Sequence, residues 1–300
     1  MTSLAAFSPV AVPKIRYWYW RGWKIRYWVL SAAQPGAASN PPMLLLHGFG
    51  ASLNQWRDNF AALAEHQTVY ALDLLGFGGS QKASTLFNTD LWSAQIYEFW
   101  RLWIGRPAVL VGHSLGSLVL LNSAVMYPEM VHRLVMLTLP AAREELLTGW
   151  VESVSRTLER VFSTPLLIRP LFKFVRQPWV IRGVLRGLYQ TKDRVDAALV
   201  WQYVQPTGDR GAARTLCYLV RSRTELQFTP ETRKLIPQVQ VPTLLLWGDA
   251  DNVIPLSWGQ QIAPLNPLVT LMVMPKTGHF MYDEKSDEIN QQILDWLKGA

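Results

Sequence analysis

A serine set in Gly112-His113-Ser114-Leu115-Gly116 is the residue of this 300-residue chain whose surroundings point most directly to chemistry. It follows the apolar run Ala108-Val109-Leu110-Val111 and precedes Leu118-Val119-Leu120-Leu121. That order reads as a buried strand, a sharp turn and a helix that starts at once, with the serine hydroxyl raised at the apex. Glycines on both sides lack a Cβ and let strand and helix close on each other. The plainer account is a helix-capping serine; the strand before and the helix after argue for a nucleophile. Such a nucleophile needs a base to take its proton and a third group to orient that base.

In open α/β sheets reacting groups collect beyond the carboxyl ends of the strands, so the partners should come directly after strands. Of the five histidines, His279 in Pro275-Lys276-Thr277-Gly278-His279-Phe280 comes right after the strand expected at Val269–Met274. His47 also follows a strand, but within a turn, His47-Gly48-Phe49-Gly50. His113 neighbours the serine and should point away from it, and His66 and His132 stand at a helix end and a strand start. A lone histidine is usually structural; the strand-end position sets His279 apart as the base. The loop Trp247-Gly248-Asp249-Ala250-Asp251-Asn252-Val253 offers two acids. Asp249 suits a turn carboxylate bound to local N–H groups, and Asp251, deeper in the loop, is preferred. Asp73, at another strand end, reads as a structural hydrogen-bonder. Attack creates an oxyanion, whose expected donors are the backbone N–H of Leu115, at a helix start, and that of Phe49, in the loop after Met43–Leu46. Phe49 also suits a pocket wall.

The elements that must position these groups are read from periodicity. Residues 14–30 alternate and are rich in β-formers, with Arg21-Gly22 between two runs, a hairpin pattern. Strands are expected at Met43–Leu46, Thr68–Leu72, Ala108–Val111, Val131–Leu137, Val241–Trp247 and Val269–Met274. Helices are expected near Asn54–Ala64, Asp90–Trp103, Ser257–Ala263 and Ser286–Leu297, and after Ser114. This alternation predicts an α/β fold with a mostly parallel central sheet covered by helices on both faces. It stops at about Ala141, where helices punctuated by Pro165, Pro170, Pro178, Pro206 and Pro230 run to Gln240. The expected organisation is a core of 14–140 and 241–300, a helical cap inserted at 141–240, and an N-terminal tail at 1–13.

Composition bounds the function. At 49% apolar and 17% charged residues the chain is globular rather than disordered. Its one cysteine, Cys217, excludes an internal disulfide and suits a reducing, cytoplasmic or stromal-like compartment. In its Leu/Tyr/Val context it reads as a core residue, not a nucleophile. Residues 1–13 lack the charged start and apolar centre of a secretory leader, and no apolar run reaches the ~18–20 residues that span a bilayer. The expectation is a soluble protein, at most peripheral to a membrane. Residues 141–240 hold 16 Lys/Arg against 9 Asp/Glu, so the net charge of +7 lies entirely there. No nucleic-acid motif accompanies it, and no cofactor or metal motif is present, so none is expected.

Together, His47-Gly48-Phe49-Gly50, Asp73-Leu74-Leu75-Gly76-Phe77-Gly78-Gly79-Ser80, the pentapeptide at 112–116, Trp247-Gly248-Asp249-Ala250-Asp251 and Gly278-His279 resemble the α/β-hydrolase superfamily. These motifs cover both flanks of the insertion, about two thirds of the chain. The resemblance implies the order nucleophile Ser114, acid Asp251, base His279, with the acid three residues after the glycine of the Trp-Gly loop. A narrower likeness rests on Trp20-Arg21-Gly22-Trp23-Lys24-Ile25-Arg26-Tyr27 and Leu91-Trp92-Ser93-Ala94-Gln95. These are similar to the pheophytinase and chlorophyll dephytylase group of plants and cyanobacteria, which implies hydrolysis of a phytyl ester. The elbow departs from that group: His113-Ser114-Leu115-Gly116-Ser117 stands where Asn-Ser and two glycines after Leu are expected.

The expected activity is therefore hydrolysis of a hydrophobic carboxylic ester through an acyl-enzyme on Ser114. C–C bond hydrolysis of a diketone and perhydrolysis are the alternatives on the same triad, and a non-enzymatic binding module is the third. Between Arg156 and Arg194 nine Lys/Arg are interleaved with Leu, Ile, Phe, Val and Trp, a candidate for peripheral contact with an anionic membrane. The alternative is that these apolar residues pack the cap onto the core.

Overall fold

The computed structural model describes residues 14–146, 165–223 and 228–299. Strands β1 (Arg16–Trp20) and β2 (Trp23–Leu30) pair antiparallel across Arg21-Gly22, whose φ values of 48° and 83° are both positive. That two-residue turn matches the right-handed twist of the strands it joins. Six more strands complete the sheet: β3 (Met43–Leu46), β4 (Val69–Leu72), β5 (Ala108–His113), β6 (Val131–Leu137), β7 (Thr243–Gly248) and β8 (Val269–Met274). They lie parallel to one another in a single sheet of order β1-β2-β4-β3-β5-β6-β7-β8, with β2 antiparallel to β4. Their carboxyl ends all open on one edge, where the loops carrying the candidate residues meet.

Helices α1 (Phe60–Ala64), α2 (Thr89–Trp103) and α3 (Leu115–Met126) alternate with the first strands. Between β6 and β7 the elements among the described residues are helical: α4 (Arg143–Leu146), α5 (Pro165–Val175), α6 (Pro178–Leu188), α7 (Ala197–Val204), α8 (Ala212–Arg223) and α9 (Thr232–Leu235), with short 3-10 turns. The C-terminal part adds α10 (Leu256–Ile262), α11 (Met281–Glu284) and α12 (Ser286–Gly299).

Strands β3, β5 and β7 are buried along their whole length, as parallel strands covered on both faces must be. Their side chains divide with a period of two. Leu44, Leu46, Leu110, Met136 and Leu245 join one apolar layer with α2 and α3, and Met43, Leu45, Val109, Val111, Leu244 and Leu246 join the other with α1 and α12. Helix α2 starts where the Asn88 side chain accepts the N–H of Leu91 (2.8 Å), and it buries Trp92, Ile96, Phe99 and Trp100 on one face. Helix α3 is apolar all round and buried from Leu115 to Ala124, the signature of a helix enclosed in a core.

Two local expectations are corrected. The helix expected at Asn54–Ala64 is a 3-10 turn, Leu53–Trp56, followed by α1. Side chains anchor the segment at both places: Asp73 Oδ1 takes the otherwise unpaired N–H of Leu53 at the start of the turn (2.7 Å), and Asn59 Nδ2, just before α1, donates to Tyr282 O and Asn290 Oδ1 (3.1 and 2.9 Å). Pro170 lies inside α5 instead of ending it, whereas Pro165 and Pro178 open helices, the position proline favours. Pro170 is itself exposed, and a proline within a helix forgoes one backbone N–H bond. The 1–13 tail and residues 156–164, the start of the basic segment, lie outside the described residues.

Candidate active site

Ser114 joins β5 to α3 with φ 53° and ψ −115°. A non-glycine residue held at such a positive φ costs on the order of 1–3 kcal/mol, which the surroundings must enforce. They do so by close approach. A Cβ on Gly116 would lie 2.4 Å from the Leu46 carbonyl oxygen, and one on Gly112 would lie 2.6 Å from the Gly116 carbonyl carbon. The Ser114 N–H donates to Leu137 O and Thr138 O (3.0 and 3.2 Å), and Ser117 Oγ donates to Gly112 O (2.8 Å).

His279 lies in the loop after β8, and its Nδ1 is 2.8 Å from Asp251 Oδ2. An ionised carboxylate only accepts, so Nδ1 carries a proton, and in the neutral imidazole this tautomer leaves the lone pair on Nε2. The carboxylate is held from four directions. Oδ2 also accepts from Thr138 Oγ1 (3.1 Å), while Oδ1 accepts the N–H groups of Val253 and Ile254 (2.8 and 2.9 Å). Burial alone would raise the Asp251 pKa, but the bonds from His279, Ile254 and Val253 outweigh it and hold the carboxyl below its ordinary value. The other acid, Asp249, takes the N–H of Thr277 instead (3.3 Å). The loops that carry Asp251 and His279 touch: a Cβ on Gly248 would lie 2.2 Å from Thr277 O.

Two of the other histidines, His113 and His47, are turned to structure. His113 Nε2–H donates to the backbone carbonyl of His279 (3.0 Å), and its ring lies 4.7 Å from the His279 ring. Burial, then the neighbouring His279, lower its pKa well below the usual value, so it is neutral. His47 is fully buried, donates from Nδ1 to Gly48 O (2.7 Å) and accepts the Leu74 N–H at Nε2 (3.1 Å). Burial, only partly opposed by Asp73, lowers its pKa. Asp73 receives Arg26 Nε and the N–H groups of Leu53 and Gly79 (2.6, 2.7 and 2.6 Å), which ties its own loop to strand β2 and to the 3-10 turn after β3. The buried Cys217 thiol is shifted upward by burial, away from the thiolate a nucleophile needs.

Leu115 heads α3, so its N–H belongs to a helix N-terminus, where the dipole favours an anion. Phe49 follows β3, the strand paired with β5 in the register Leu46 to Gly112, so the two loops emerge side by side. Its ring is 45% exposed and packs edge-on against Phe77 at 5.4 Å. Val253, in the acid's loop, is exposed to a similar 44%. The residue sequence reasoning missed is Thr138, whose φ of 54° is costly for a β-branched side chain. Its signal was available: a polar residue directly after β6, on the edge where the other groups collect. Helices between β6 and β7 are pinned to this edge. Tyr189 after α6 stacks on Phe280 (4.5 Å between centroids), and Gln190 Nε2 donates to Ala250 O (2.9 Å).

A family model described as the alpha/beta hydrolase family matches residues 43–292. The chain belongs to that family. This alpha/beta hydrolase is 28% identical to hydrolase YugF of Bacillus subtilis over 262 residues, spanning 85% of this chain and 89% of the relative. Among solved structures, it is similar to a membrane phospholipase A described as a bacterial virulence factor. The TM-score is 0.76 at 25% identity, covering 96% of this chain and 86% of the other. It is likewise similar to a meta-cleavage product hydrolase from Pseudomonas fluorescens, at TM-score 0.76 and 20% identity, covering 94% and 97% of the two chains. At that identity the second likeness speaks to the fold alone.

Proposed function

We propose that this alpha/beta hydrolase cleaves a hydrophobic carboxylic ester through an acyl-enzyme on Ser114. The observation that carries the reading is the hydrogen bond from His279 Nδ1–H to Asp251, which leaves His279 Nε2 as the base, together with a serine at positive φ on the same sheet edge. In this mechanism Ser114 Oγ attacks the ester carbonyl while His279 Nε2 takes the hydroxyl proton. Asp251 holds the tautomer and stabilises the imidazolium. The N–H groups of Phe49 and Leu115 receive the tetrahedral oxyanion; losing one such donor typically costs on the order of 2.7–4 kcal/mol. His279 then protonates the departing alcohol, and water, activated by the same Nε2, releases the acid and restores Ser114.

The exposed faces of Phe49 and Val253 beside these groups support an apolar substrate. In this reading the helices of 141–240 form a cap over the site. The sequence likeness to pigment-ester hydrolases makes a phytyl ester one member of the class to test. Turnover of p-nitrophenyl esters of rising acyl length, with pheophytin and a meta-cleavage-type diketone alongside, decides the reading. Rates that rise with acyl length and vanish in Ser114→Ala support it. Turnover of the diketone with no ester cleaved replaces it with C–C bond hydrolysis.

A further inference from the structure

Between Pro165 and Lys192 the chain carries six Lys/Arg and no Asp or Glu. Helices α5 and α6 fill most of this stretch, and each begins at a proline. Their inner faces are anchored by the buried Ile168 and Leu185. Their outer faces are apolar where a soluble helix would be polar: Leu171, Phe174, Trp179 and Val184 are 57%, 53%, 64% and 54% exposed. The Phe174 and Trp179 rings meet edge to face at 5.3 Å across the junction of the two helices, so the exposed apolar residues of one helix join those of the other there. Arg169, Lys173 and Arg186 are exposed on the same two helices, and Arg176 is exposed in the turn between them. An apolar patch of this kind marks an interaction site rather than ordinary surface.

We infer that the outer face of α5 and α6 docks on an anionic lipid surface and that the enzyme takes its ester from that surface. The inference about substrate supply rests on the hydrolase reading of Ser114; the docking itself does not. Charge selects the occupant. A second copy paired through the same patch would bring the two sets of cations together without a counter-charge. A nucleic acid would find phosphate partners and could stack on Phe174 or Trp179, but it would leave the exposed aliphatic Leu171, Val175 and Val184 in water. An anionic membrane satisfies both components, taking Trp179, Phe174 and Leu171 into the interface and the cations to its headgroups. The placement also connects with the site, because α6 runs directly into Tyr189 and Gln190, which hold the base and acid loops through Phe280 and Ala250.

The test is co-sedimentation of the full chain with phosphatidylglycerol-containing vesicles and with pure phosphatidylcholine vesicles. Each cation near an anionic surface contributes about fivefold at low salt, so Lys173→Gln/Arg176→Gln/Arg186→Gln should weaken partitioning on the order of 100-fold. Phe174→Ser/Trp179→Ser should abolish pelleting even at low salt, and raising salt should release the wild type. Turnover of water-soluble p-nitrophenyl acetate should be unchanged in both variants, while turnover of a vesicle-dissolved ester falls. Equal pelleting with neutral vesicles, no pelleting of the wild type, a dimer that Trp179→Ser dissolves, or capture of oligonucleotide in place of vesicles each overturns the inference. Vesicle binding without ester turnover defeats the hydrolase reading alone; turnover without binding defeats the docking alone.

Discussion

Replacing Asp251 by asparagine exchanges one carboxylate oxygen for an NH2 group, and the four donors around the carboxylate set the consequence. Val253 and Ile254 present backbone N–H groups at 2.8 and 2.9 Å that cannot turn away. The asparagine oxygen must therefore stay on them, because the reverse orientation buries two donor–donor contacts costing about 1–3 kcal/mol each. The NH2 then faces His279 Nδ1 and the Thr138 hydroxyl, which rotates to accept. His279 meets a donor where it had an acceptor, moves its proton to Nε2, and loses the lone pair that served as base. The expected fall in kcat for p-nitrophenyl butyrate is ~10⁴-fold, equivalent to about 5.5 kcal/mol of transition-state stabilisation, with KM little changed. Asp249→Asn, which disturbs only the 3.3 Å contact to Thr277 N–H, should cost less than about tenfold. Stopped-flow and steady-state assays of both variants check this. An Asp249→Asn enzyme crippled more than Asp251→Asn would refute the reasoning.

Thr138→Val keeps the β-branched shape but removes a hydrogen bond to an ionised carboxylate, worth about 1.5–3 kcal/mol; kcat should fall ~10–100-fold at unchanged KM, and an unaltered kcat would remove Thr138 from the acid's support. Gly116→Ala drives a Cβ against the Leu46 and His47 carbonyl oxygens, at 2.4 and 2.7 Å, so urea unfolding should show a loss of about 3 kcal/mol or more. His113 and His47 are neutral in the fold because burial lowers their pKa, whereas the unfolded chain binds protons near 6.5. Their contribution to stability is complete above pH 6.5 and is lost as pH falls through the lowered folded values. The Tm should therefore drop between pH 7 and 5, and His113→Gln, which keeps an N–H donor for His279 O, should shallow that drop. Asp251 acts in a lower window: its lowered pKa gives stability that is complete above the ordinary value of 3.8 and disappears as pH falls through the folded value. The urea midpoint of wild type should lose its advantage over Asp251→Asn only under those acid conditions.

The central strands were legible because burial on both faces leaves an unbroken apolar run, as in Met43–Leu46 and Ala108–Val111, that no solvent-facing helix shows. The hairpin was legible because Arg21-Gly22 is a turn pair between alternating runs. Local patterns failed where long-range side chains intervene. The segment read as one helix at Asn54–Ala64 is anchored at Leu53 by Asp73 and at Asn59 by Tyr282 and Asn290, partners distant in sequence that a local pattern does not encode. Pro170 stands inside α5 with its own ring exposed, a tertiary fact that sequence does not carry. At the candidate site, the spacing of Gly248, Asp249 and Asp251 and the position of His279 after β8 could be read directly. Thr138 could not be ranked, because one polar residue at a strand end says little until the acid loop is known to fold over it. The basic and apolar residues of α5 and α6 were visible as a mixture; only the packing of Ile168 and Leu185 separates the face that supports the fold from the face that meets the outside.

A covalent adduct on Ser114 is the central claim in its most direct form. Intact-protein mass spectrometry after exposure to a fluorophosphonate, with the modified peptide then sequenced, measures it. One stoichiometric phosphonylation is expected on the peptide containing Ser114, slowed strongly in His279→Ala and absent in Ser114→Ala. An unmodified wild type, or equal modification of Ser114→Ala, would contradict it.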